Sequence, residues 1–370
     1  MSSEIDRSVI HSLVQEWQDT LRNESRVHIS GAKTKSALHS IELEHVEIST
    51  RRLSGIMNYD PQEFVVTVLA GTRILDIEQS LAERGQYLPF DPMLVSQGAT
   101  IGGCVATNTA GSGRFRFGGI RDFLIGIRFI DGEGNNIHGG GRVVKNAAGF
   151  DFPKLMVGSR GRLGLIYELT FKVFPKPQAY ATLIADFAEC EQAVQRMTQW
   201  AGSPFDIEAL DLMVVPGNPP RYELAIRIGG VESVLQDRMN RIRDGLPNTR
   251  CWMKDKDMEF WKDGRDLRWA QPNTCIYKLP ITPKDILGLE SKLVRSYIQR
   301  RYSVGGNVAW LAIDPSRPMG EVPVHPSLCV IRPLGADSDQ VGDPAFARFD
   351  SEGPFARAIQ RALDPHSRFL

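Results

Sequence analysis

The sequence has few cysteines, and their spacing does not bring any two of them together. None forms a C-x-x-C pair, and their number is odd. A disulfide framework, a zinc site and an iron–sulfur cluster all need closely spaced or paired cysteines. We therefore expect no metal site in this chain. The cysteines are Cys104, Cys190, Cys251, Cys275 and Cys329.

The sequence also lacks net charge and long apolar runs. The 44 Lys and Arg residues balance the 44 Asp and Glu residues, so no overall field attracts nucleic acid or an anionic membrane. The longest apolar run, near 64–70, is far shorter than the roughly 20 residues that span a bilayer. The first 13 residues carry charges and lack the layout of a secretion signal. We expect no nucleic-acid partner, no membrane insertion and a cytoplasmic location.

A chain of 370 residues is long enough for two lobes with separate cores. Hydrophobic spacing predicts both helices and short strands, and hence an α+β class. The proline-rich stretch 175–177 predicts a boundary, which gives a first domain at 1–177, a cap or partner-contact domain at 178–330, and a loop and closing helix at 331–370 that return to the first domain. The predicted helices are 5–22, 74–85, 189–201, 233–243 and 355–363, and the predicted strands are 27–29, 64–68, 123–130, 163–173 and 222–228.

Glycine is concentrated in one part of the first domain. Half of the chain's 34 glycines lie between Gly98 and Gly164. Such a density indicates backbone with positive φ, or a ligand that contacts the main chain directly.

The usual nucleotide-binding fingerprints do not fit these glycines. Gly158, Gly161 and Gly164 are spaced G-x-x-G-x-x-G, which is not the dinucleotide pattern G-x-G-x-x-G. Lys33-Thr34 resembles the end of a P-loop, but positions 27 and 32 are valine and alanine where that loop requires glycines. A Rossmann site and an ATPase are both disfavoured.

Two other segments favour anion binding. They are the turn Ser30–Lys35 and the segment Gly98–Gly103. Backbone N–H groups in a tight turn form a nest for a pyrophosphate, and Lys33 or Lys35 adds positive charge. Taken alone, the first turn is also typical of a solvent loop. The two segments together favour one long, diphosphate-containing ligand.

The run from Asn58 to Pro177 resembles the FAD-binding domain of the vanillyl-alcohol-oxidase and p-cresol-methylhydroxylase superfamily. Within it, the chain is similar to the FAD-binding subunits of bacterial glycolate oxidases (glycolate dehydrogenases). This resemblance implies a two-subdomain FAD-binding fold of the p-cresol-methylhydroxylase type, with a second, smaller α+β lobe. The matching stretches are 58–63, 88–92, 99–103, 118–123, 141–151 and 155–159.

The resemblance also implies which residues contact FAD. For each of these residues, a purely structural role stays open as the alternative to an FAD contact. Examples are Asp151 as the cap of a helix, Lys145 as a surface partner of Asp122, and Ile166 as a core residue. The expected contacts are Gly31, Ala32, Lys33 and Thr34 at the pyrophosphate; Gly98, Ala99, Thr100, Gly102 and Gly103 along the pyrophosphate and ribityl chain; Asn108, Ala110 and Gly111 near the isoalloxazine; Lys145, Asn146, Gly149 and Asp151 on the flavin side; and Gly161, Gly164 and Ile166 towards the adenine.

The turn Ser30–Lys35 contains no histidine of the kind that anchors covalent flavin in this superfamily, so we expect non-covalent FAD. The histidine-rich element of the related catalytic subunits is also missing, and the catalytic residues stay unknown. The loosely placed candidates for a base or a carboxylate-binding cation are His138, Arg121, Arg268 and His325.

By resemblance, the substrate is a small 2-hydroxy acid such as glycolate. The partners are a catalytic FAD subunit and an iron–sulfur subunit that passes electrons towards membrane quinone, which would place the chain at the inner face of the membrane. Two alternatives stay open: a self-sufficient FAD-linked oxidoreductase of another small alcohol, and an assembly module that has lost its cofactor.

Overall fold

The computed structural model describes residues 7–35, 44–141, 149–272, 274–293, 298–314, 329–331 and 353–369. The opening helix places Leu13, Val14, Trp17 and Leu21 on one buried face, at the spacing that helical periodicity requires. The helices in the described ranges are α1 (Arg7–Asn23), α2 (Ile74–Ala82), α3 (Ile101–Thr107), α4 (Arg114–Phe117), α5 (Ile120–Phe123), α6 (Phe152–Met156), α7 (Cys190–Ala201), α8 (Glu232–Arg243), α9 (Asp255–Arg265), α10 (Asp285–Leu293) and α11 (Pro354–Leu363).

The first lobe is built on a five-stranded antiparallel sheet, in the order β3-β4-β8-β6-β7. A separate parallel pair, β1-β2, lies beside it, and β5 pairs with β9. The strands are β1 (Val27–Ser30), β2 (Val46–Ser49), β3 (Ile56–Asp60), β4 (Val65–Leu69), β5 (Gln86–Tyr87), β6 (Leu124–Ile130), β7 (Asn136–Gly140), β8 (Leu165–Lys172) and β9 (Phe174–Pro175).

The second lobe contains an eight-stranded sheet, in the order β13-β10-β12-β11-β15-β16-β14-β17. Helices α7, α8 and α10 pack on one face, where residues such as Tyr277 and Leu311 are buried. On the other face, Ile276 and Trp310 join the core of the first lobe. The strands are β10 (Ala179–Phe187), β11 (Ile207–Val215), β12 (Arg221–Gly230), β13 (Thr249–Met253), β14 (Cys275–Pro280), β15 (Gln299–Ser303), β16 (Val308–Ile313) and β17 (Cys329–Ile331).

The mixed helix-and-sheet class predicted from the sequence is confirmed. Each helix and strand predicted above has a counterpart within a few residues, whereas β2, β3, β7 and several strands of the second lobe were not predicted. The domain boundaries at 177 and 330 stay predictions. Across the described ranges, no helix has both the length and the apolar character needed to cross a bilayer.

Polar contacts between the lobes fix the position of the glycine-rich segment. The guanidinium of Arg265 donates to both carboxylate oxygens of Glu78, at 2.7 and 3.1 Å. The ammonium of Lys278 on β14 donates to the backbone carbonyl of Asn108, at the end of α3, at 2.9 Å. The second lobe therefore contacts the end of α3, the helix that begins within the predicted cofactor segment.

A buried carboxylate anchors the core of the second lobe. Glu290 on α10 accepts hydrogen bonds from the guanidinium of Arg300 and from the hydroxyls of Tyr302 and Tyr222. The side chains of Glu290 and Arg300 are each only 5% exposed. A buried carboxylate of this kind is tolerated because the Arg300 guanidinium neutralises its charge and the two groups form hydrogen bonds to each other.

We predict that Glu290→Ala destabilises the chain by about 3–5 kcal/mol, because the charge of Arg300 then stays buried without a counter-ion. The measurement is the free energy of unfolding from urea titration. Glu259→Ala, the same change at an exposed position on α9, is the control and should alter that free energy by less than about 0.5 kcal/mol. Equal effects of the two substitutions would contradict the prediction.

Candidate cofactor site

A cavity of 360 Å³ opens between β1, β2, the start of α3 and the loop before β8. This volume lies in the range of about 300–1,000 Å³ that is typical of small-molecule and cofactor sites. Ten of the residues predicted to contact FAD line it: Gly31, Ala32, Lys33, Thr34, Thr100, Gly102, Gly103, Gly161, Gly164 and Ile166.

The turn Ser30–Lys35 forms one wall of the cavity. It follows β1, which pairs in parallel with β2 so that Ser30 lies opposite Ser49. The hydroxyl of Thr50 donates to the carbonyl of Ser30 at 2.9 Å and fixes the start of the turn. A Cβ atom at Gly31 would lie 2.6 Å from Oγ1 of Thr100, so a larger residue at this position would have to displace the Thr100 hydroxyl.

The start of α3 forms the opposite wall, where two adjacent glycines have different roles. A Cβ atom at Gly102 would lie 2.7 Å from the Cβ of Ala70 and 2.8 Å from its carbonyl oxygen. Within the described ranges, a Cβ atom at Gly103 would meet only the hydroxyl of Thr100, at 3.2 Å. Gly102 is therefore required by packing within the protein, whereas Gly103 leaves space on the cavity side.

The hydroxyl of Thr100 is a buried polar group without a hydrogen-bond partner among the described residues. Thr100 itself is 2% exposed and lines the cavity. Such a group carries a desolvation cost until a ligand or a water supplies the missing bond. It lies between Gly31 and Gly103, at the wall of the cavity.

A charged cluster lies at the turn. The ammonium of Lys33 lies 2.7 Å from Oε1 of Glu47 and 2.8 Å from Oε2, and the hydroxyl of Ser30 donates to Oε1 at 2.5 Å. These hydrogen bonds from Lys33 and Ser30 hold the pKa of Glu47 below its ordinary value, so its carboxylate is charged near neutral pH. Burial lowers the pKa of the neighbouring His28, although Glu47 acts in the opposite direction.

The loop before β8 completes the cavity. Its backbone is held against α3 by a hydrogen bond from the N–H of Arg160 to the carbonyl of Ala106, at 2.8 Å. Gly161 faces Ile29 of β1, and Ile166 is 5% exposed. A Cβ atom at Gly164 would lie 2.6 Å from the ring of Phe129, so packing within the protein already accounts for this glycine.

Seven predicted contact residues do not line the cavity. Ala99 and Ala110 are in the core, and a side chain at Gly111 would collide with Asp91. Asp151 accepts a hydrogen bond from the N–H of Lys154 and caps the N-terminus of α6. This is the structural role that was the alternative to an FAD contact. Gly98, Asn108 and Gly149 adopt positive φ outside the cavity wall. Lys145 and Asn146 lie outside the described residues.

The candidate catalytic residues do not converge. Arg121, His138 and Arg268 are exposed, and none of them lines the cavity. Arg268 makes an ion pair with Asp263 at 3.4 Å. His325 lies outside the described residues. The part of the chain that the structure describes therefore brings no two of these candidates together.

Several lining residues were not predicted from the sequence. His28, His45, Glu47, Thr50, Thr107 and Arg160 all contribute to the cavity wall. His28 and Ile29 belong to a strand that was predicted, but they are adjacent, and side chains alternate between the two faces of a strand. Alternation could therefore not have indicated both of them. Glu47 has no such signal, because β2 itself was not predicted.

The comparison with protein families agrees with this geometry. Residues 10–140 match the family model described as an FAD binding domain. This range includes the turn Ser30–Lys35 and the whole of α3. This part of the chain is therefore similar to an FAD-binding domain. FAD is therefore the cofactor that this match implies.

Sequence relatives of the chain include glycolate oxidase subunits and a D-lactate dehydrogenase. Glycolate oxidase subunit GlcE of Escherichia coli is 36% identical over 200 residues, which is 54% of this chain and 56% of that protein. D-lactate dehydrogenase of Anaerostipes hadrus is 32% identical over 196 residues, or 52% and 41% of the two chains. Glycolate oxidase subunit GlcD of Bacillus subtilis is 31% identical over 164 residues, or 44% and 35%. The matches thus span about half or less of each of these relatives.

The fold is also found among solved structures. An alkyldihydroxyacetonephosphate synthase superposes with a TM-score of 0.67 over 99% of this chain and 74% of that one, at 17% sequence identity. The two chains therefore share a fold, which agrees with the α+β class predicted from the sequence.

The residues of the cavity fit an FAD diphosphate. The unpartnered hydroxyl of Thr100 offers a hydrogen bond, the open side of Gly103 leaves room, and Lys33 supplies positive charge. Bound there, FAD would be held by the backbone and these short side chains rather than by a covalent bond. The individual contacts stay predictions.

We predict that Gly103→Leu abolishes FAD binding but leaves the apoprotein folded. The new side chain enters the cavity, while leucine is a better helix former than glycine. Gly288→Leu on α10, where a Cβ atom would meet open space, is the matched control. Flavin retained after gel filtration and the thermal midpoint of unfolding are measured for both. Undiminished flavin in Gly103→Leu would contradict the assignment of this wall.

We also predict that Thr100→Val weakens FAD binding by roughly two- to tenfold, the loss of one net hydrogen bond. The apoprotein should be at least as stable as before, because a buried unpaired hydroxyl is removed. Thr67→Val is the control: its hydroxyl pairs with that of Thr170 at 3.0 Å and does not line the cavity. Isothermal titration with FAD compares the two variants, and an unchanged affinity in Thr100→Val would count against the contact.

Proposed function

We propose that this chain is the FAD-binding subunit of a glycolate-type 2-hydroxy-acid dehydrogenase complex, which oxidises glycolate to glyoxylate. The observation that carries the proposal is the cavity between the turn Ser30–Lys35 and α3, within a chain that is similar to a glycolate oxidase subunit. When bound, FAD would supply the two-electron acceptor for the α-carbon hydride of the hydroxy acid.

The chain's own residues support a cofactor-holding role. The turn and α3 bind the diphosphate region, and the hydrogen bond from Lys278 to the carbonyl of Asn108 joins the second lobe to the end of α3. Oxidation of a hydroxy acid also needs a base for the hydroxyl proton and a cation for the carboxylate. The candidates Arg121, His138 and Arg268 lie separately on the surface, so we assign the base and the cation to a partner subunit.

The same reasoning extends to the partners. The scattered cysteines do not provide a cluster site in this chain. We therefore propose that electrons leave the flavin for a catalytic FAD subunit and an iron–sulfur subunit, and that these partners bring the chain to the inner face of the membrane.

We predict that the isolated chain binds FAD with a characteristic flavin spectrum, but that glycolate does not bleach this spectrum in the absence of partners. Co-expression with the neighbouring gene products should restore dye reduction by glycolate. D-lactate is tested in parallel, since D-lactate dehydrogenases are among the relatives. Bleaching of the isolated chain by either acid would contradict the dependent-subunit proposal and favour a self-sufficient enzyme. A flavin-free chain that still assembles would favour an assembly module.

A further inference from the structure

The carboxylate of Glu47 lies within the wall of the cavity, at the turn where the negatively charged diphosphate is proposed to bind. Both of its oxygens accept from the ammonium of Lys33, at 2.7 and 2.8 Å, and one of them also accepts from the hydroxyl of Ser30, at 2.5 Å. The side chain of Glu47 is 36% exposed and that of Lys33 is 58% exposed. The pair is therefore open to solvent and can rearrange.

The two groups that Glu47 engages are suitable donors for a phosphate. An ammonium and a hydroxyl in the same turn are what an oxyanion recognises, together with the turn's backbone N–H groups. A carboxylate is itself an anion, so it occupies these donors with the same type of hydrogen bond. A diphosphate must either displace Glu47 or bind beside a like charge, and both lower its affinity.

The shape of the turn does not depend on Glu47 alone. The parallel pairing of β1 with β2 places Ser30 opposite Ser49, and Thr50 donates to the carbonyl of Ser30 at 2.9 Å. These contacts remain when the charge of Glu47 is removed. Loss of that charge therefore releases Lys33 and Ser30 without removing the support of the turn.

We propose that Glu47 is an internal competitor of the FAD diphosphate and keeps FAD exchangeable. The inference rests on the proposed location of the diphosphate at this turn. It assigns to Glu47 a negative contribution to cofactor affinity, in contrast to the other lining residues, which support binding.

The test is the affinity of the apoprotein for FAD, measured by isothermal titration for Glu47→Gln and for the unsubstituted chain. Glutamine has nearly the same shape but no charge, and we expect FAD to bind about three- to tenfold more tightly. Glu63→Gln makes the same chemical change in the exposed turn between β3 and β4, outside the cavity wall, and should leave the affinity unchanged. Unchanged or weaker FAD binding in Glu47→Gln overturns the proposal.

A double-mutant cycle identifies the mechanism. Lys33→Met should weaken FAD binding more in the Glu47→Gln background than in the unsubstituted chain, because Lys33 is fully available only when Glu47 is neutral. The gain from Glu47→Gln should also shrink as salt is raised, since these groups are exposed. A gain that does not depend on Lys33 or on salt overturns the competition mechanism.

Two further results keep the test decisive. If Glu47→Gln does not fold, Glu47→Asp retains the charge but withdraws it by one methylene, and an intermediate gain in affinity is expected; no gain overturns the proposal. Saturable FAD binding by the unsubstituted chain, without a gain in any variant, counts against the role of Glu47 alone. Absence of saturable binding by the unsubstituted chain overturns both this inference and the proposed function.

Discussion

The close approach of Gly31 to the hydroxyl of Thr100 is the constraint on which the cavity depends. A single Cβ atom at position 31 would fill the gap between the turn after β1 and the start of α3. The approach in turn requires β1 to be held beside β2, and α3 to be packed on Ala70 through Gly102. Core packing and backbone pairing thus create a narrow opening that is lined by backbone atoms. Such an opening suits a flat or extended anionic ligand better than a bulky one.

The charges around this opening are balanced rather than uniformly positive. Lys33 is paired with Glu47, and burial keeps His28 from gaining a proton readily. Affinity for a diphosphate at such a site depends mainly on directed hydrogen bonds and fit, because the local field is partly cancelled. The neutral overall charge of the chain is consistent with recognition by a local site.

Much of the fold could be predicted from local patterns, but the contacts that complete the site are non-local. Helix α1 and strand β4 were predicted because their apolar residues repeat at helical or strand spacing. Strand β2 was missed since it is short and mostly exposed, and its pairing with β1 brings Glu47 to Ser30 across 17 residues of sequence. Gly102 and Gly103 look equivalent in sequence, and only the position of Ala70 separates packing from ligand space.

The hydrogen bond from Lys278 to the carbonyl of Asn108 has a mechanical consequence. It joins the second sheet to the residue that caps the C-terminus of the short helix α3, whose first turn borders the cavity. A rotation of one lobe against the other would pull on that carbonyl and tilt the helix, because a seven-residue rod has little room to bend. A protein that binds the second lobe and shifts it would therefore also shift the start of α3, at the wall of the cavity.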